Sequence, residues 1–154
     1  MAGTTTAMPT SFKSELAQAI HNFVQTTGHV FKFALVKVTP TGTYGAATTN
    51  YSNLTGNSDE VASGGGYTTG GFAETAAQNI TPQTGGTTAF WQWSVNPTWT
   101  SATFSTTGCI GYNSSASNRA VYVGDFGGTQ TVSAGTLTLV QPTNDQSNAL
   151  LRIQ

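Results

Sequence analysis

Two hydrophobic patterns divide the chain. Over residues 11–25 the apolar side chains Phe12, Leu16, Ala19, Ile20, Phe23 and Val24 recur at the spacing that lines one face of an α-helix. Ser11 stands where an N-cap is needed, Glu15 falls in the first turn where the helix dipole favours negative charge, and Gly28 follows as a stop. The stripe is expected to pack on the rest of the domain, with docking on a partner subunit as the alternative. Before it, residues 1–10 are small and polar with Pro9, and they read as a flexible arm.

From residue 30 onward the period shortens to that of strands. Residues 30–38 are apolar at nearly every position and predict a central strand covered on both faces. Residues 39–66, with Pro40, Gly42, Gly45, Gly56 and the run Gly64, Gly65, Gly66, predict a long loop with a short strand near Tyr51. Further strands are expected over residues 67–73, 88–95, 102–112, 120–126, 135–141 and 149–153, with turns at 113–118 and at Gly127-Gly128. Residues 88–95 alternate, with Ala89, Trp91, Trp93 and Val95 on one side and Thr88, Phe90, Gln92 and Ser94 on the other. The expected fold is mainly β: a β-sandwich or jelly-roll-like domain over residues 11–154, with one N-terminal amphipathic helix at about residues 11–25.

Composition narrows the function classes. The chain has 154 residues, 7% charged, with a net charge of −1. Lys13, Lys32, Lys37, Arg119 and Arg152 are scattered. Phosphate neutralisation needs clustered cations, so neither nucleic acid nor an anionic membrane surface is an expected partner. No stretch approaches the roughly 18 apolar residues of a membrane-spanning helix, and residues 1–10 lack the basic and apolar regions of a secretory signal. A single cysteine, Cys109, excludes an internal disulfide framework. Synthesis in a cytoplasm is the expectation.

The candidate chemistry is sparse. Asp59 and Glu60 are adjacent, an arrangement expected to be solvated in a loop; their spacing matches neither an acid–base pair nor a calcium loop. His21 and His29 occupy no metal-ligand spacing and are expected to be solvated. Cys109 reads as a buried, inert thiol. The Gly64–Gly66 run lacks the context of a phosphate loop. No catalytic residue, cofactor or metal is expected. Trp91, Trp93 and Trp99 leave three readings open: core packing, an exposed platform for a sugar ring, or a subunit interface.

One set of motifs points further. The stretch from Tyr44 through Asn50-Tyr51-Ser52-Asn53-Leu54-Thr55-Gly56-Asn57-Ser58-Asp59-Glu60-Val61 resembles a family of small virion proteins of tailed bacteriophages. The similarity continues in Gly66-Tyr67-Thr68-Thr69-Gly70-Gly71, in Trp99 to Phe104, in Gly111-Tyr112-Asn113-Ser114 and from Asp125-Phe126-Gly127-Gly128 to Leu139. Ser11-Phe12-Lys13, Glu15-Leu16 and His21-Asn22-Phe23 look like that family's N-terminal helix, whereas Phe90-Trp91-Gln92-Trp93 is more aromatic than the family pattern. The resemblance implies a structural protein of a phage particle: a capsid decoration or cement protein that binds and stabilises the assembled head, or else a tail or fibre accessory protein or carbohydrate-binding adhesin.

Its implied partners are the major capsid protein or other virion proteins and further copies of itself, with a trimer favoured. Its implied location is the virion, on the capsid surface in preference to the tail. The expected partner contacts are Thr4, Thr5 and Thr6 on the arm, Phe12 on the helix, Tyr44 and Tyr51 in the long loop, and the pair Trp91 and Trp93. Modest contacts repeated over many copies would suffice through avidity, and an arm of this kind could add to a neighbour's sheet edge.

Overall fold

The computed structural model describes residues 2–154. In chain order its elements are β1 Gly3–Thr4, α1 Thr10–Ala17, β2 Phe31–Lys37, β3 Thr43–Tyr44, α2 Ser52–Gly56, β4 Phe72–Glu74, a 3₁₀ turn Ala76–Gln78, β5 Gln83–Gly85, β6 Thr88–Trp91, β7 Thr98–Asn113, β8 Arg119–Thr138 and β9 Leu151–Ile153. The fold is mainly β. A four-stranded antiparallel sheet runs β4-β2-β7-β8, a three-stranded antiparallel sheet runs β5-β6-β9, and β1 pairs in parallel with β3.

The two-sided apolar character of β2 has a direct cause. Phe31, Phe33 and Leu35 enter one core, which also holds Phe12, Phe23, Trp91, Trp93 and Leu151. Ala34 and Val36 point the other way, into a second core with Tyr44, Leu54, Ile110 and Val123. Successive strand residues face opposite sides, so a strand covered on both faces must be apolar throughout. One cover comes from the helix and the β5-β6-β9 sheet, the other from the long loop after β2. Close cover needs room: the backbone at Gly71 has φ +77°, and a Cβ there would lie 1.9 Å from the Phe33 carbonyl oxygen, so only glycine fits.

The helix is shorter than the apolar stripe predicts. It ends at Ala17, and the expected span to residue 25 is not helical. The N–H of Ile20 reaches back to the Glu15 carbonyl (3.1 Å) and that of Ala19 to Leu16 (3.1 Å), with Ala19 at φ 54°. This is a Schellman ending in which alanine holds the place glycine normally takes. The reversal brings His21 onto Glu15, Nε2 to Oε2 at 2.7 Å. Residues six apart do not face each other on a continuous helix, so this buried pair and a continued helix are mutually exclusive. Phe23 still reaches the core, stacked on Phe31 at 4.6 Å, but from irregular chain.

Other elements differ from expectation as well: of the strand expected at 67–73 only Phe72–Glu74 forms, and the one expected at 88–95 ends at Trp91. The segment near Tyr51 is the short helix α2, not a strand. Residues 3–10, expected as a flexible arm, are stitched to the domain: β1 lies on β3, Ala7 exchanges both backbone hydrogen bonds with Val123 (2.9 Å each), and Thr10 N–H bonds Ala46 O. The strands expected at 120–126 and 135–141 form one long strand, β8. Gly127-Gly128 is not a hairpin turn but part of a wide bulge: Thr106 pairs with Gln130 and Gly108 with Asp125, which leaves residues 126–129 opposite Thr107 alone. Bulges of this kind bend a strand while pairing resumes beyond it.

Candidate interaction surface

Most of the expected partner contacts are used inside the fold. Phe12 is 0% exposed, Tyr44 1%, Trp91 3% and Trp93 1%. Trp93 sits edge-on to Phe33 at 5.0 Å and beside Phe31 at 5.3 Å, so the tryptophan pair is core and forms no exposed platform. Trp99, at 6%, packs on Tyr67 and Phe72. Tyr51 stacks on Tyr112 at 4.5 Å and donates to Glu60. Thr4 Oγ1 donates to Asp125 Oδ1 (3.1 Å), Thr5 N–H bonds Tyr44 O (2.8 Å), and Thr6 Oγ1 accepts the Asp125 N–H (3.0 Å). Thr5 and Thr6 remain solvent-exposed.

The adjacent acids of the long loop are not solvated. Asp59 is fully buried and accepts from Thr41 N–H (2.9 Å), Gly42 N–H (2.8 Å) and Tyr44 O–H (2.6 Å), with Lys37 Nζ at 3.1 Å. Burial alone would raise its pKa. The donors from Tyr44, Thr41, Gly42 and Lys37 outweigh that and hold the carboxyl well below the usual carboxylate range. Burial, reinforced by the bond to Asp59, pushes Tyr44 up to about 12. Glu60 accepts from the Tyr51 and Tyr67 hydroxyls and from Gly70 N–H. The two acids point to different anchors: Asp59 ties back to the start of the loop, and Glu60 to Tyr51 and to the residues just beyond the loop; the sequence reading of them as solvated fails because their donors come from residues 7 to 22 positions away.

His21 is likewise buried, contrary to expectation. Its Nε2 faces Glu15, and Arg119 NH1 takes the other Glu15 oxygen at 2.7 Å. Asn113 Oδ1 accepts Ser115 N–H, which fixes the amide orientation, so Nδ2 donates to Nδ1 of both His21 and His29 at 2.9 Å each. Desolvation lowers the His21 pKa even against the pull of Glu15. The cluster ties the N-terminal helix to the β7–β8 hairpin. Cys109 is buried as expected, and burial pushes its thiol up to about 12. No group of three or more His, Cys, Asp and Glu is placed to hold a metal ion among the described residues.

What remains on the surface is a ribbon and a cleft. Beyond the end of β2 the β7–β8 pair continues as two strands, residues 98–105 with 131–138. One face carries the cross-strand pairs Trp99–Leu137 and Phe104–Val132, and Tyr67 lies beneath at 5.8 Å from Phe104. The other face is a hydroxyl ladder, with Ser105 Oγ 2.8 Å from Thr131 Oγ1 and Thr98 Oγ1 3.3 Å from Thr138 Oγ1. The bulge folds the far end of β8 back over its own beginning. An apolar cleft of about 340 Å³ opens between them, walled by Phe33, Tyr122, Phe126, Leu137, Leu139 and Leu150. Val140 at its rim is 77% exposed, and Val95 nearby 36%. None of the expected partner contacts lies on this ribbon, although the motifs Trp99 to Phe104 and Asp125 to Leu139 run through it; alternation broken by two glycines hid its continuity. The chain matches no protein-family model, no curated protein and no solved structure.

Proposed function

We propose that the protein is a structural component of a bacteriophage virion, most economically a decoration protein that binds the assembled head in many copies. The sequence motifs that run from the N-terminal helix to Leu139 support this, and one feature of the molecule carries it: a nearly uncharged ribbon with a hydroxyl-lined face and a partly covered apolar cleft at its edge. Contacts made through hydroxyls and apolar side chains change little with salt, because few screened charges take part. Repetition over a shell would raise the total affinity without any strong single contact. The arm is already bound to its own domain, so it contributes to the surface as a fixed edge, not as a strand handed to a neighbour. The adhesin alternative loses its basis, since the tryptophans that would have formed a sugar platform are core residues.

The test is the particle itself. Peptides of this chain in purified virions, with matching density on the head in electron-microscopy maps, are the expected result. Virions that lack the chain overturn the proposal, and density confined to the tail replaces the head assignment.

A further inference from the structure

Asn113 ends β7 fully buried, with its side-chain amide between two imidazole rings. Its Oδ1 accepts the Ser115 N–H at 3.1 Å, and its Nδ2 therefore faces Nδ1 of His21 and Nδ1 of His29, each at 2.9 Å. An amide nitrogen carries two hydrogens and accepts none. Both hydrogens go to the rings, so both Nδ1 atoms are bare and each neutral ring carries its hydrogen on Nε2. For His21 that hydrogen is already placed, with Nε2 2.7 Å from Glu15 Oε2. Nδ1 is then the one nitrogen at which His21 can take up a proton, and a hydrogen there would point at the amino hydrogens of Asn113. A hydrogen on His29 Nδ1 would meet the same obstacle. The charged and titratable groups that bear on His21 are Glu15 from α1, Arg119 from β8, whose NH1 holds Glu15 Oε1 at 2.7 Å, and His29 from the chain before β2. Phe12 and Phe23 close the site, with ring centres 4.9 and 6.3 Å from that of His21.

We propose that Asn113 joins the two histidines into one proton-operated latch with two states. In the first, the amide nitrogen faces both rings and both Nδ1 atoms are bare. In the second, the amide is reversed, its oxygen faces both rings, and both Nδ1 atoms carry hydrogen. A carbonyl oxygen has two lone pairs, so it can accept from both rings just as the nitrogen donates to both. A mixed state sets donor against donor or acceptor against acceptor away from water, which is costly. For His21 the second state adds one proton from solvent and gives an imidazolium, because the hydrogen on Nε2 stays with Glu15. His29 reaches it by gaining a proton or by moving its own from Nε2 to Nδ1. Acid therefore drives the change, and desolvation, which lowers the His21 pKa, sets it below the usual histidine value. Reversal also turns the Asn113 amino group towards the Ser115 N–H, which loses its acceptor. The turn at residues 113–118 is a clasp: Ser115 Oγ accepts Val30 N–H (3.0 Å), Ser117 O accepts Asn50 Nδ2 (2.7 Å) and Asn118 O accepts Tyr51 N–H (2.9 Å). Mild acid thus loosens the tip of the β7–β8 hairpin and its hold on the start of α2. The latch lies within a single chain and owes nothing to the virion proposal.

The experiment is a titration of the isotope-labelled full chain from about pH 8 to about pH 4, read by NMR of the imidazole nitrogens, which separates the Nδ1–H, Nε2–H and imidazolium forms of each ring. At the alkaline end both rings are expected in the Nε2–H form. On acidification Nδ1 of His21 and Nδ1 of His29 should gain hydrogen at one common midpoint, and the Ser115 amide should shift and exchange faster at that same midpoint. Near-ultraviolet circular dichroism from the core tryptophans should stay constant through the step, which separates the latch from acid unfolding. Asn113→Asp keeps an oxygen for Ser115 and offers the rings a second, charged one, so both midpoints should rise together by about one to three pH units. If that variant does not fold, the wild-type titration decides alone. Two separate midpoints in wild type, a hydrogen on either Nδ1 at the alkaline end, a Ser115 amide that ignores the step, loss of the native fold within it, or a folded Asn113→Asp with unmoved midpoints would each overturn the proposal.

Discussion

Glu74 offers the sharpest test of how this core is built. It lies on β4 opposite Phe31, and antiparallel partners share a face, so its side chain enters the aromatic core of Phe23, Phe31 and Trp93. It is 0% exposed, and neither carboxyl oxygen has a hydrogen-bond partner among the described residues. Burial without a partner disfavours the charged form and raises the pKa from 4.5 to about 7. A pKa raised on folding means the unfolded chain gives up its proton first. The stability is therefore fully present below pH 4.5 and is lost as pH rises towards and through about 7. Integrated over that window, the loss approaches about 3 kcal/mol. Glu74→Gln keeps the shape and removes the titration. At pH 4.5 the variant should match wild type to within about 1 kcal/mol, since a neutral amide replaces a mostly neutral acid. By pH 8 it should be the more stable by about 3 kcal/mol. Urea denaturation at intervals of pH between 4.5 and 8 measures both curves. Taking the difference cancels the other titrations, including His21, whose lowered pKa gives an opposite slope on acidification. Parallel curves for the two proteins would refute the placement of an unpartnered carboxyl in the core.

Three further outcomes are expected. Ala19→Gly should stabilise by about 0.5–1 kcal/mol in urea denaturation, since the left-handed cost to alanine exceeds the extra freedom glycine brings to the unfolded chain; a loss of stability would show that the Schellman ending is misassigned. Asp59→Asn should cost about 3–5 kcal/mol, because it removes the charge that faces Lys37 and replaces one acceptor oxygen by an NH2 that meets inward-pointing donors, and limited proteolysis should then cut first within residues 39–58. Cys109, buried and with its thiol pushed up to about 12, should react with a thiol reagent only at the rate of unfolding; fast labelling of native protein would place it at the surface.

The parts of the fold that were legible in the sequence are those decided by local pattern. The nearly continuous apolar run of β2, interrupted only at Lys32 before its end at Lys37, specified cover on both faces, and both cores are there. The short strand Leu151–Ile153, inside the span expected at 149–153, and the buried Cys109 follow from the same kind of signal. What misled was pattern overridden by a distant partner. The apolar stripe continues past Ala17, but Glu15 needs His21 and Arg119, and that contact closes only if the chain reverses at Ala19. Asp59 and Glu60 look like a solvated pair because nothing local announces Tyr44, Lys37, Tyr51 and Tyr67 as their partners. Gly127-Gly128 has the composition of a hairpin turn, yet the strand resumes register beyond it. Turn chemistry permits a reversal without requiring one, and pairing to β7 on both sides decides the matter.

The distribution of charge follows one logic from sequence to surface. The chain has six carboxylates, Glu15, Asp59, Glu60, Glu74, Asp125 and Asp145. Three of them, Glu15, Asp59 and Glu74, are buried, and Glu60 is half-buried with three donors. In most domains acids solvate the exterior and keep neighbouring molecules apart. Here the scarce acids are spent mainly as internal anchors, and solvation falls to threonine and serine hydroxyls, which repel nothing. Such a surface does not resist contact with its own copies. Adding charge to the ribbon should therefore raise solubility with little change in stability, whereas removing an internal carboxylate should change stability with little change in solubility.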